Sequence, residues 1–159
     1  LLATWMGHSS WHQWSLDRIF HEFDVSALHN KETLPVMLEM TCYTSYFSLP
    51  DTDVLDESLL RSEGGGAVAT WGASDRGYPS HHVELHKGFV NAALGKAQEP
   101  VALGPATLEG RLELGADREA QRSLWDTYVL FGDPAMHLNL DVVPWAHETA
   151  LPLVLRGFE

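Results

Sequence analysis

Two side chains in this sequence have the types that nucleophilic catalysis needs, and each follows an apolar run. Leu34 to Thr41, interrupted only by Pro35 and Glu39, leads into Cys42, the only cysteine of the chain. Leu1 to Met6 leads into Gly7 and His8. A thiolate attacks a carbonyl, and a nearby imidazole lowers the thiol's pKa and later protonates the leaving amine. The small residues Gly7, Ser9 and Ser10 let a substrate approach the backbone beside His8, and the N–H groups of Ser9 and Cys42 are candidate donors to an oxyanion. The competing reading of a single cysteine is a small buried hydrophobe.

Positioning these groups requires strands. The run into Cys42 is short and carries Pro35, which reads as a buried strand and not as a helix. Leu1 to Met6 is a strand ending at Gly7, and Ala67 to Trp71 is a third. Val54 to Arg61 between the last two is helical, with Val54, Leu55, Ser58 and Leu59 on one face. A strand, helix and strand in that order predict a right-handed crossover and a parallel sheet. Ligands of such sheets bind beyond the carboxyl ends of the strands. Neighbouring strands lie about 4.8 Å apart, so His8 and Cys42 leave the sheet side by side. The loop from Gly72 to Pro79 emerges at the same edge, which makes Asp75, Arg76 and Tyr78, together with Trp11, candidate substrate-binding residues. An acidic group at such a place favours a basic substrate residue and an arginine the reverse, so the adjacent Asp75 and Arg76 leave specificity open. Trp11, Trp14 and Tyr78 either line subsites or pack beneath the loops.

Gly64 to Gly66 precedes a strand and lacks a P-loop lysine, so it reads as a turn. Leu16 to Phe23 is a short helix or an irregular excursion, and Asp24 to Asn30 is one helical turn with Asp24 as N-cap. Helices are predicted over Ser80 to Leu94 and Ala116 to Phe131, and more weakly over Val101 to Leu114, where Gly104, Pro105 and Gly110 intervene. Gly132, Asp133 and Pro134 form a stop with Asp133 as a turn residue, followed by short strands at Ala135 to Leu140 and Leu151 to Leu155. Trp5, Trp71 and Trp125 are assigned to the core. His82 and His86 are four apart on a helix, but no further ligand has a recognisable spacing, so they read as a solvated helix face and no metal site is assigned.

The chain has 159 residues, 45% of them apolar, and a net charge of −12. That charge argues against nucleic acid or an anionic membrane surface as the main partner. No apolar run approaches the roughly 20 residues of a membrane span, and one cysteine excludes an internal disulfide. The chain opens inside a strand and holds few strands to close a doubly covered sheet. Further strands are therefore expected from an upstream part of the same polypeptide or from a partner chain.

The strand into Gly7, His8, Ser9 and Ser10, the strand into Cys42, the helix bearing Glu57, the Gly66 to Ala69 segment and the block Tyr128 to Ala135 together resemble the gingipain-type cysteine peptidases. The spacing of 34 positions between His8 and Cys42 suits that family. The resemblance implies an α/β, caspase-like fold with a parallel-dominated sheet flanked by helices, here lacking its N-terminal strands. Residues 1–141 would be the C-terminal part of the peptidase domain and 142–159 a tail or the start of a following β module. It implies an endopeptidase acting on protein or peptide substrates through an acyl-enzyme, with His8 as general acid and base and Cys42 as nucleophile. The implied setting is extracellular or at the cell surface. The resemblance implies no required cofactor and calcium only as an optional structural addition, for which the 22 acidic residues would supply oxygens. The family usually has glycine after the catalytic histidine and frequently downstream of the nucleophile, where this chain has Ser9 and Ser45. Those departures keep alive a second reading, a catalytically silent scaffold or interaction module of a surface assembly.

Overall fold

The structure, a computed structural model, describes residues 1–94, 101–115 and 119–138. Its centre is β5 (Val36–Met40), buried at every position. β1 (Leu2–Met6) pairs with it in parallel on one side and β6 (Ala69–Ala73) on the other, and β7 (Tyr128–Phe131) adds antiparallel to β6. Side chains alternate across a strand. Val36, Leu38 and Met40 accordingly join one apolar cluster with Trp71, Leu85, Phe89, Leu103 and Leu114, beneath α3 (Pro79–Leu94) and α4 (Leu103–Leu114). Met37 faces the other way, into a second cluster with Val25, Leu55, Leu59 and Ala67, built around α1 (Glu22–Val25) and α2 (Leu55–Arg61).

Between His8 and α1 the chain makes three two-residue strands, β2 (Ser9–Ser10), β3 (Gln13–Trp14) and β4 (Phe20–His21), in an antiparallel sheet. This replaces the helix or irregular excursion expected over Leu16 to Phe23. The N-cap of α1 is His21, not Asp24. Phe23 N–H donates to His21 Nδ1, and the Asp24 carboxylate reaches back to His21 N–H at 2.9 Å, as the third residue of a capping box. Asn30 instead binds Gly66 through both its N–H and its carbonyl. Gly66 has φ 118°, and a Cβ there would lie 2.1 Å from the Leu59 carbonyl oxygen, so the glycine run is a turn that glycine alone can make.

Three further boundaries differ from expectation. The third strand runs to Ala73, two residues beyond the predicted Trp71, because Gly72 is a strand residue and not the start of a loop. The last predicted helix stops early: α5 (Glu119–Thr127) gives way to β7 at Tyr128. Thr127 Oγ1 donates to the Ser123 carbonyl at 2.8 Å, while Ser74 N–H and Oγ both donate to the Thr127 carbonyl, and these local bonds occupy the helix end. The aromatic and branched tetrapeptide that follows then pairs with β6. Among the described residues after β7 there is a turn and a single bridge between His137 and Ala102, in place of the strand expected from Ala135. Asp133 makes that turn, accepting Ala135 N–H at 2.8 Å. The strand at Leu151 to Leu155 and the boundary at 142 lie outside the described residues. Trp71 is wholly buried, but Trp5 and Trp125 are only half-buried.

Candidate active site

β1 and β5 are neighbours in register, with Met6 beside Met40, so His8 and Cys42 leave the same edge of the sheet from adjacent strands. The chain turns sharply after β5. Thr41 N–H donates back to the Glu39 carbonyl at 2.8 Å, and Tyr43, just after the thiol, has φ 61°. That left-handed conformation is uncommon for a side chain of this size and lifts Cys42 out of the strand line. Cys42 is half-buried. Its Sγ accepts Gly77 N–H at 3.3 Å and lies 3.7 Å from the Gly77 carbonyl.

The two loops are fastened by Ser9. Its hydroxyl accepts Cys42 N–H at 3.1 Å, donates to the Cys42 carbonyl and lies 2.6 Å from Thr41 Oγ1, which itself donates to the Gly7 carbonyl. The Cys42 amide, a candidate oxyanion donor, is therefore engaged by a hydroxyl in this structure. The backbone of His8 is pinned: its carbonyl accepts Trp5 Nε1 at 3.3 Å and Ser15 N–H at 2.8 Å. Its imidazole is exposed and, among the described residues, has no hydrogen bond to Cys42 or to a carboxylate. Gly7 is required beside it, because a Cβ would lie 2.9 Å from the Trp5 ring. His8 borders a recess of about 260 Å³ with Met6, Met40, Pro79, His82 and Val83.

The other nominated residues divide. Asp75 and Arg76 are exposed and do not line that recess; the Asp75 carbonyl accepts Tyr43 N–H at 3.2 Å, and its carboxylate accepts Arg76 N–H. Tyr78 is 52% exposed and meets His81 edge to face. The loop therefore reaches the thiol through the Gly77 backbone. Trp11 is half-buried against His12, and its carbonyl accepts Leu55 N–H. Trp14 packs beneath: its ring stacks on Trp5 at 5.1 Å and its Nε1 donates to Glu39 at 2.9 Å. His82 and His86 do not form a solvated face. His82 is buried and its pKa is pushed down to about 4 by burial, while half-buried His86 contacts Thr4 Oγ1 at 3.2 Å. Their helix packs these residues onto the sheet, which the four-residue spacing by itself did not reveal.

The residues that were missed lie beside the loop that carries Cys42. Glu39 and Asp56 are both fully buried, and none of the ion pairs among the described residues includes either. Burial, and then the charge of Asp56, hold Glu39 well above the usual carboxylate range, and burial pushes Asp56 up to about 7. A glutamate inside an apolar strand run was the one sequence signal; its partner comes from a helix 17 positions later. Among the described residues no group of three or more His, Cys, Asp and Glu side chains converges on a point that could hold a metal, so no step is assigned to calcium.

A mainly parallel sheet between helices, with a thiol and an imidazole at adjacent strand ends, matches the caspase-like fold. The chain belongs to peptidase family C25, whose pattern matches residues 1–139. Its fold is similar to the crystal structure of the Arg specific cysteine proteinase gingipain R, with a TM-score of 0.77 and 21% identity over 86% of this chain and 33% of that one. It is similar also to the complex of the pro- and mature domains of Porphyromonas gingivalis RgpB, with a TM-score of 0.74, 24% identity, and 84% and 33% covered. A further protease structure gives 0.75 at 16% identity, covering 86% and 35%. The chain thus spans about a third of the length of the solved structures it matches. No curated protein sequence matches it.

Proposed function

We propose that this chain carries the nucleophile and the general base of a cysteine endopeptidase, and that the rest of the active protein supplies what orients them. The observation that carries the reading is the half-buried Cys42 thiol at the carboxyl end of β5, held by Gly77 N–H beside the strand that delivers His8. In the proposed reaction His8 takes the thiol proton, and the thiolate adds to the peptide carbonyl. The tetrahedral oxyanion collapses as His8 protonates the leaving amine. Water, deprotonated by His8, then releases the acyl group from sulfur. The substrate carbonyl oxygen displaces the Ser9 hydroxyl from Cys42 N–H, so that the amide becomes an oxyanion donor only when substrate is seated. Trp11, Tyr78, Asp75 and Arg76, none of which lines the recess beside His8, are assigned to substrate residues farther from the scissile bond. Protein or peptide is the substrate class, in an extracellular or cell-surface setting. Among the described residues no helix is long and apolar enough to cross a membrane.

The test is labelling of the natural full-length protein with a thiol-directed peptidyl inhibitor. Wild type should be labelled at Cys42 and Cys42→Ala not at all, while His8→Ala should slow labelling on the order of 100-fold or more, within the usual range for a general base. A Cys42 that reacts no faster than an ordinary exposed thiol, with no change in His8→Ala, would sink the peptidase reading in favour of a silent scaffold.

A further inference from the structure

Ser45 stands where a glycine is frequent in this family, three residues after the thiol. It is wholly buried, and its hydroxyl donates to Asp56 of α2. Asp56 N–H in turn donates to the Thr44 carbonyl at 3.2 Å, so α2 grips the nucleophile loop through both backbone and side chain. The floor of this contact is Gly72 of β6. A Cβ on Gly72 would lie 2.6 Å from Asp56 Oδ2, 2.7 Å from Thr44 Oγ1 and 2.8 Å from Ser45 Oγ. Gly72 is also the register partner of Glu39, which places the second buried carboxyl group beside the first. Around them, Glu39 Oε1, Asp56 Oδ1, Thr44 Oγ1 and Thr70 Oγ1 are buried without a hydrogen-bond partner.

We propose that Asp56 is a positioning residue for Cys42, setting the loop that carries the thiol through the Ser45 hydroxyl and the Thr44 backbone. The inference rests on Cys42 being the reactive group of the site. Two neighbouring buried carboxyl groups, neither in an ion pair among the described residues, resist double ionisation, because desolvation and mutual repulsion both oppose it. Asp56 is faced by Glu57 on its own helix, Ser45 and Thr44 from the nucleophile loop, and Thr70 from β6; Glu39 adjoins it from β5 and Tyr128 from β7. Near neutral pH Asp56 therefore passes between acid and carboxylate. The Thr44 and Thr70 hydroxyls are near enough to steady the ionised form, yet form no regular hydrogen bond here. Ionisation draws them in, and Thr44 is two residues from the thiol. The reactivity of Cys42 thus follows a second, buried titration.

The experiment is alkylation of Cys42 by iodoacetamide, a small neutral reagent, in the full-length protein from pH 5 to 9. It compares wild type, Asp56→Asn, Ser45→Gly and the double variant, with thermal unfolding of each. Wild type should show an inflection near pH 7 besides that of the thiol, amounting to a change of about tenfold for a displacement below an ångström. Asp56→Asn should abolish it. Ser45→Gly, which keeps a residue common in the family, should also flatten it, and Asp56→Asn should then add little. A wild-type profile with the thiol's inflection alone, or effects of the two substitutions that simply add, would overturn the proposal. So would a Ser45→Gly profile that superimposes on wild type, which decides the matter even where Asp56→Asn does not fold. Because alkylation needs no peptide cleavage, a coupled inflection in a protein that cleaves nothing would retain this inference while removing the peptidase reading.

Discussion

At the scale of the residue, Ser9 changes the site by one hydroxyl. That oxygen holds the amide and the carbonyl of Cys42 and touches Thr41, so it joins the loops after β1 and β5. Ser9→Ala leaves part-buried groups without a partner and should cost about 1–3 kcal/mol of stability, read by chemical denaturation. A loss within error of zero would mean that water replaces the hydroxyl freely. Two buried groups titrate in opposition. Asp56 rises from 3.8 to about 7, so the folded chain holds its proton more tightly than the unfolded chain, and stability falls as pH climbs across that interval. His82 drops from 6.5 to about 4, so the unfolded chain binds the proton more tightly there, and stability rises with pH between those values. Relative to wild type, Asp56→Asn should make the slope of melting temperature against pH more positive over its interval and His82→Gln more negative over its own, read at closely spaced pH; parallel slopes in all three proteins would refute the assignment. Neither residue was legible as a buried group in the sequence. Asp56 shares its helix with exposed charges, and His82 looked solvated beside His81 and His86.

At the scale of the element, α3 and α4 meet where glycine faces glycine. A Cβ on Gly110 would lie 2.5 Å from the Trp71 ring and 2.8 Å from the Leu85 carbonyl, and one on Gly88 would lie 2.8 Å from the Gly110 Cα. Gly110→Ala must push the helices apart and should destabilise the fold by about 1–3 kcal/mol in chemical denaturation, despite the better helix propensity of alanine. Stabilisation would show that this contact is not tight. In the sequence Gly110 and Pro105 weakened the helix; in the structure Pro105 occupies the first turn, where no intrahelical N–H is needed, and Gly110 makes room for Trp71. Elements whose periodicity has one reading were legible: β1, β5, α2 and α3 fall within a residue or two of expectation. β7 was not, because Leu124, Tyr128 and Phe131 suit a helix face as well as a helix followed by a strand. The two-residue strands of the small sheet carry too few side chains for any period. The placement of His8 and Cys42 at one sheet edge was legible from strand order alone, but the Ser9 and Gly77 contacts depend on backbone turns that composition does not encode.

At the scale of the whole molecule, β5 and β6 are each paired on both sides, whereas β1 pairs with β5 alone among the described residues. Its outer row of N–H and C=O groups is a template for another strand, and Leu1 and Met6 beside it are exposed. The same strand ends one residue before Gly7 and so carries His8. Any segment that seats on that edge therefore acts on the element that aims the imidazole. If seating improves the alignment of His8 with Cys42, the two events share one coupling free energy, and linkage makes it reciprocal. An inhibitor closed onto Cys42 would tighten the strand's grip by the same factor by which the strand tightens the inhibitor's. Occupancy of the cleft would then be measurable from outside it, as resistance of the seated strand to being pulled away.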